Sequence, residues 1–180
     1  VKALVYTDPM TGSLAVSVLN PTSGDIPSCS GGRVHVIAGG GHGSRPMYLL
    51  REAGYQVTAG VLGVGDSDYQ VAQKLDIICP CIPSFSTVDD ASSAHHRALV
   101  DQADVVVVTN TQFSDANYLN LEAAHTARRL VVIEDGPFSD RDFTGGKATA
   151  LYAEIRQRVV VTTVADLVDA VRGAMDSLPP

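Results

Sequence analysis

The sequence predicts an α/β protein: a doubly wound, mostly parallel sheet of about six strands, preceded by a short β-hairpin. Three observations carry that expectation. Short apolar runs alternate with longer helix-patterned stretches from residue 34 onward, as in a chain of βαβ units. Residues 105–108 are four consecutive valines, which suits a strand buried on both faces by covering helices. Gly, Ser, Thr and Asp collect just after the apolar runs, where the loops of such a sheet carry its ligand sites.

Taken in order, residues 1–20 read as a hairpin, with LVYT and LAVSVL joined across the turn-type sequence DPMTG. Residues 21–33 are rich in Pro, Ser and Gly and read as a linker, so the main domain is expected over 34–180. Its first strand, 34–38, leads through AGGGHGS to a helix over 46–53, with Pro46 in the first turn and Gly54 as C-cap. A strand at 56–62 and a helix at 67–75 follow, then a strand at 77–82. In PSFSTVDD, Ser86 or Thr87 can cap a helix reaching about residue 103, with Asp89 and Asp90 favoured by the dipole of its first turn. After the valine strand come a helix at 114–128, a strand at 130–134, a helix at 146–158, a strand at 159–162 and a closing helix at 164–178. Right-handed crossovers make such an alternation a parallel sheet.

Composition narrows the function. The net charge is -7 with only 13 scattered Lys and Arg, so no basic face for nucleic acid is expected. No apolar run nears the roughly 18 to 20 residues that span a bilayer, and VKALVYTDPM lacks the basic and apolar regions of a secretory signal. A cytoplasmic chain without direct membrane insertion is the expectation. Cys29, Cys79 and Cys81 are odd in number, and the Cys79-Pro80-Cys81 spacing is not that of a metal or redox pair, so buried structural thiols are expected.

Chemistry is sought in the loops beyond the strands. Gly39, Gly40, Gly41, His42, Gly43 and Ser44 can present backbone N–H groups and a hydroxyl to an anion at a helix N-terminus. The fingerprint G-x-G-x-x-G would fall on Gly39, Gly41 and then Ser44, so its third glycine is missing. Asp66 and Asp68 in the next loop, Thr109 after the valines, and Gly145, Gly146 and Lys147 before a later helix complete the candidate ligand site. With Arg141 and Ala148 where a P-loop needs Gly and Ser or Thr, the Lys147 segment does not match that motif. Asp66, Asp68, Glu134, Asp135, Asp140 and Asp142 are either a converging carboxylate set or, more commonly for Asp beside Gly and Ser, caps and turns. His95 and His96 point about 100° apart on a helix, cannot chelate as an i, i+4 pair does, and read as surface residues. No catalytic residue and no metal site is assigned. The cofactor is unknown, with a nucleotide or another phosphate-bearing ligand favoured.

VYTDPMTGSLAVSVL, the Ser/Gly-rich linker, VHVIAGGGHGSRPMYLLREAGYQVTAGVLGVGDSDYQVAQKLD and PSFS together resemble the C-terminal, Rossmann-like extension of some ATP-binding subunits of ABC importers of the cobalamin and ferric-siderophore type. The resemblance covers most of the chain through short motifs. It implies a non-catalytic ligand-binding or regulatory domain. Its partners would be an upstream ABC ATPase module, a membrane permease and a small molecule, at the inner face of the plasma membrane. A homodimer is a further expectation. Walker A, LSGGQ and Walker B motifs are missing from these 180 residues, so no ATPase role passes to any residue here. Two alternatives stand beside it. GGKAT is similar to the GGxGT segment of nucleoside-monophosphate phosphoribohydrolases, although Ala148 replaces the last glycine and Tyr152 stands at the acid position, with Glu154 two residues on. An NAD(P)-binding oxidoreductase domain is the other, weakened by Ser44 and by the lack of a Tyr-x-x-x-Lys motif.

Overall fold

A computed structural model describes residues 3–7, 14–18, 31–82, 91–114, 118–134 and 146–177. Strands β1 (Ala3–Thr7) and β2 (Leu14–Val18) pair antiparallel with each other, and the turn expected between them lies outside the described residues, as does most of the linker.

The principal sheet contains β3 (Arg33–Ala38), β4 (Gln56–Leu62), β5 (Cys81–Ile82), β6 (Val105–Thr109), β7 (Leu130–Ile133) and β8 (Val160–Thr162). Every pairing is parallel, in the order β5-β4-β3-β6-β7-β8. Counted along the chain this is 3-2-1-4-5-6, the doubly wound arrangement whose ligand crevice opens between its first and fourth strands. Here that switch point lies between the carboxyl ends of β3 and β6. The expected third strand is shorter than read: Ile78 makes only an isolated bridge to Thr58, and regular pairing resumes at Cys81. Pro80, which has no N–H to give the ladder, stands between the two.

Among the described residues six helices cover the sheet: α1 (Ser44–Glu52), α2 (Ser67–Lys74), α3 (Ala91–Gln102), α4 (Tyr118–Thr126), α5 (Gly146–Arg158) and α6 (Leu167–Asp176). On one face Val34, Val36, Ala59 and Val107 pack with Met47 and Leu50 of α1, Ala72 of α2 and Leu167 and Val171 of α6. On the other, Ile37, Val106, Val108 and Val132 pack with Val100 of α3, Leu121 of α4 and Tyr152 and Ile155 of α5. Successive strand residues face opposite sides, so a strand covered on both must be apolar throughout. Val105 to Val108 meet that demand, each wholly buried and each contributing roughly 1.5 to 3 kcal/mol by leaving water.

The outer helices are tied down by specific contacts. The Arg158 guanidinium donates to the carbonyls of Ala124, His125 and Ala127, so the end of α5 caps the orphan acceptors at the end of α4. Phe113 meets Tyr152 edge to face at 5.8 Å between ring centroids.

Candidate functional site

Between β3 and α1 the chain turns through Gly39–Gly43. Gly40 and Gly41 have φ of +63° and +84°, a region that side chains with a Cβ disfavour. Gly43 has ordinary φ, but a Cβ there would lie 2.2 Å from that of Ala38. The close strand-to-helix approach that a fingerprint places on its third glycine therefore falls one residue early. Ser44 is left free to contribute a hydroxyl instead.

That hydroxyl and two of the turn's amides bind acids of the same chain. The Gly40 N–H donates to Asp66 Oδ2 at 2.7 Å and the Gly43 N–H to Asp68 Oδ2 at 3.0 Å, while Ser44 Oγ donates to Asp68 Oδ1. Asp66 also N-caps α2, accepting from the Asp68 N–H at 2.9 Å. Asp68 is wholly buried. Its carboxylate sits where the partial positive charge of the α1 N-terminus favours an anion. The structure brings both expected acids to the glycine turn, where they serve as its internal partners and as a cap.

Across the switch point, Gln112 lies in the 3-10 turn Asn110–Gln112 that follows β6. Its Nε2 donates to the Gly39 carbonyl at 3.2 Å, and its own carbonyl accepts from Asn120 Nδ2 of α4 at 3.3 Å. A Cβ on Gly39 would come within 2.8 Å of Gln112 Oε1, so this glycine makes room for the crossing side chain. Thr109 is buried at the end of β6, whereas His42 is exposed, its N–H donating to the Gly39 carbonyl at 3.2 Å. Gln112 and Asn120 were not among the expected site residues; they stand in TNTQFSD and in the helix after it, and no local pattern marks them.

Gly146 and Lys147 open α5 and are exposed, while Gly145 lies outside the described residues. Lys147 Nζ stands 5.2 Å from the centroid of the Tyr118 ring, and its hydrogen bond to Tyr118 together with the charge interaction there raises its pKa. Asp66 follows β4 and α5 follows β7, strands that stand three places apart in the sheet. Asp135, Asp140, Asp142, Ser86 and Thr87 lie outside the described residues, and Glu134 is exposed. Glu154 is eight residues into α5, about 12 Å from its start, and its carboxylate pairs with His125 Nε2 of α4 at 2.6 Å. The acid weighed for a hydrolase is thus on the helical layer, away from the strand ends.

Two sequence readings of single residues are resolved here. Cys79 is partly buried against the core, and burial, with the neighbouring Cys81 thiol next, pushes its pKa up to about 12, which disfavours a reactive thiolate. His96, read as a surface residue, is wholly buried. It shares the inner stripe of α3 with Ser93, Leu99 and Val100, at helical spacings of three and four. Its Nδ1 lies 3.2 Å from His35 Nε2, and His35 Nδ1 lies 2.8 Å from Thr58 Oγ1. The ring rests in the notch over Gly60, where a Cβ would come within 2.3 Å of Nδ1. Burial, then the charges of Arg97 and His95, lowers the His96 pKa to about 4; burial and then His96 hold that of His35 well below the usual range.

Part of this chain is similar in sequence to known proteins. Residues resembling 108 positions of the chain occur in two proteins named cobalamin import ATP-binding protein BtuD, from the R1 and NRC-1 strains of Halobacterium salinarum. Each is 31% identical over 59% of this chain and 26% of its own length. The chain thus spans about a quarter of the curated relatives it matches, and it is distantly similar to an ABC ATP-binding protein over that stretch. Among the described residues no helix is long and apolar enough to cross a membrane. The profile of the MJ0874 family matches residues 57–168, from β4 into the first turn of α6 and over more than half of the sequence, and the chain belongs to that family.

Proposed function

We propose that this chain is a non-catalytic ligand-binding or regulatory domain of an ABC importer's ATP-binding protein, with its ligand at the carboxyl ends of β3, β4, β6 and β7. The observation that carries the ligand reading is the switch point itself. There a glycine turn, two helix N-termini and the Gln112 side chain converge beyond the strand ends, the usual ligand position in this fold. The transporter reading is supported by the distant similarity to cobalamin import ATP-binding proteins, and with it come an ATPase module, a permease and a cytoplasmic position beside the membrane.

The same reading extends to how the ligand's groups would be received. Asp66 and Asp68 already occupy the Gly40 and Gly43 amides, and their negative charge disfavours a phosphate directly on that turn. A phosphate is better received at the start of α5, whose first turn holds Lys147 and no acid. A ligand with a phosphate near Gly146 and Lys147 would turn hydroxyl donors toward Asp66.

A thermal-shift panel of nucleotides, dinucleotides, phosphosugars, cobalamin and siderophores tests the reading. Ligand at a hundred times its Kd adds roughly 2.7 kcal/mol, which raises the Tm of a chain this size by about 5 to 10 °C. Lys147→Ala should remove the shift for phosphate-bearing ligands. A panel that stabilises nothing rejects the ligand site, and release of free base from AMP would replace it with the phosphoribohydrolase reading. The transporter link fails separately if the coding sequence preceding Val1 encodes no ABC ATPase module.

A further inference from the structure

Among the described residues the sheet ends on one side at β8, which pairs there with β7 alone. Strand edges are normally guarded by Lys, Pro, a bulge or a covering element, because their unpaired N–H and C=O groups recruit other strands. The stretch VVVTTV, residues 159–164, has no charge and no proline. Val160 and Val161 are 44% and 43% exposed, and since neighbouring residues face opposite sides, both faces of the edge are open.

Charge indicates the occupant. The strand is entered from Arg156 and Arg158 in the last turn of α5 and left toward Asp166 and Asp169 at the start of α6. In an antiparallel pair related by a two-fold axis, the basic entry of one copy meets the acidic exit of the other. Parallel alignment would set like charges together. Two chains of net charge -7 repel over most of their surfaces, and this uncharged strand with its complementary flanks is a place where they can approach. Arg158 contributes field more than a bond, because its guanidinium already caps α4.

We infer that β8 is a self-association edge, on which a second copy of this chain adds its own β8 antiparallel and continues the sheet across a two-fold axis. A strand this short with its flanks buries less than the roughly 1,200 Å² of a standard interface, so the dimer is weak and concentration-dependent.

Sedimentation velocity on the full chain, from low to high micromolar concentration, tests this. The expected result is a monomer–dimer equilibrium. Val161→Lys sets two ammonium groups near each other across the axis and should weaken the dimer about tenfold or more, while thermal unfolding of the exposed variant stays near the parent's. Asp166→Asn, which keeps an acceptor for the Thr163 hydroxyl that bonds Asp166 at 2.8 Å, should weaken association a few-fold. A chain that stays monomeric throughout, or a dimer unaffected by Val161→Lys, overturns the inference.

Discussion

Two buried polar clusters lie on opposite faces of the same sheet and solve the same problem differently. On the α1 and α2 side, Asp68 is enclosed as a carboxylate whose two oxygens accept from the Gly43 N–H and the Ser44 hydroxyl. On the α3 side, His35 and His96 form a line from Thr58 inward that ends at His96 Nε2, a buried nitrogen without a partner among the described residues. Tautomer choice cannot repair this. If Thr58 donates to His35, each ring passes a proton inward and His96 Nε2–H is an orphan donor; if His35 donates to Thr58, His96 Nε2 is an orphan acceptor. A satisfied cluster fixes one geometry, and one left short costs about 1 to 3 kcal/mol and is sensitive to proton concentration.

The largest effect expected of a single substitution comes from breaking the satisfied cluster. Asp68→Ala strands the Gly43 amide and the Ser44 hydroxyl and removes a charge that α1 favours, so urea unfolding should show a loss of about 3 to 4 kcal/mol. Asp68→Asn, which still accepts one bond, should lose less. Acidification acts on the other cluster and, with two histidines involved, reaches at least as far. The folded pKa values of His35 and His96 lie below the unfolded one, so below about pH 6.5 the unfolded state takes up protons that the folded state refuses. Stability is therefore full above that pH and falls as the pH drops toward 4. His96 alone accounts for roughly 3 kcal/mol, and His35 acts in the same direction. Unfolding measured between pH 7.5 and about 4 checks the slope; an unchanged midpoint would mean that the pair is not buried neutral.

How much of this was legible in the sequence depends on how far apart the partners stand. Strand β6 was readable because four valines in a row state its burial locally, and the order of elements followed from alternating patterns. The hydrogen bonds of Asp68 to Gly43 and Ser44 span 25 and 24 residues, and nothing near Asp68 distinguishes it from a solvated residue of a helix start. Gln112 reaches Gly39 across 73 residues and was missed for the same reason. His96 is different, since the signal was present. Leu99, Val100 and Ala103, at three, four and seven residues beyond it, define a buried stripe, and a histidine within that stripe is more informative than its adjacency to His95. Its partner His35 sits in a strand covered on both faces and so had to be buried as well.

Smaller effects separate packing from protonation at the histidines. Gly60→Ala places a methyl within 2.3 Å of His96 Nδ1 and should cost about 2 kcal/mol. Most of that cost should disappear in a His96→Ala background, because the two positions share one space; additive costs would place the clash elsewhere.

His96→Leu should change stability least at pH 8, by under about 1 kcal/mol, because it trades one unpaired buried nitrogen for another. It removes the orphan at His96 Nε2 and creates one at His35 Nε2, which loses its bond, while the apolar volume over Gly60 is kept. Its consequence lies in the pH profile. Two protons refused by the folded state give a slope of about 2.7 kcal/mol per pH unit below the unfolded pKa, and one refused proton gives about half of that. A His96→Leu profile with half the parent's slope assigns the acid sensitivity to the pair, whereas an undiminished slope would place it on other groups of the chain. Thr58→Val extends the argument to the outer end of the line: it unpairs His35 Nδ1 without touching His96, so it should lower stability at pH 8 and leave the slope nearly intact.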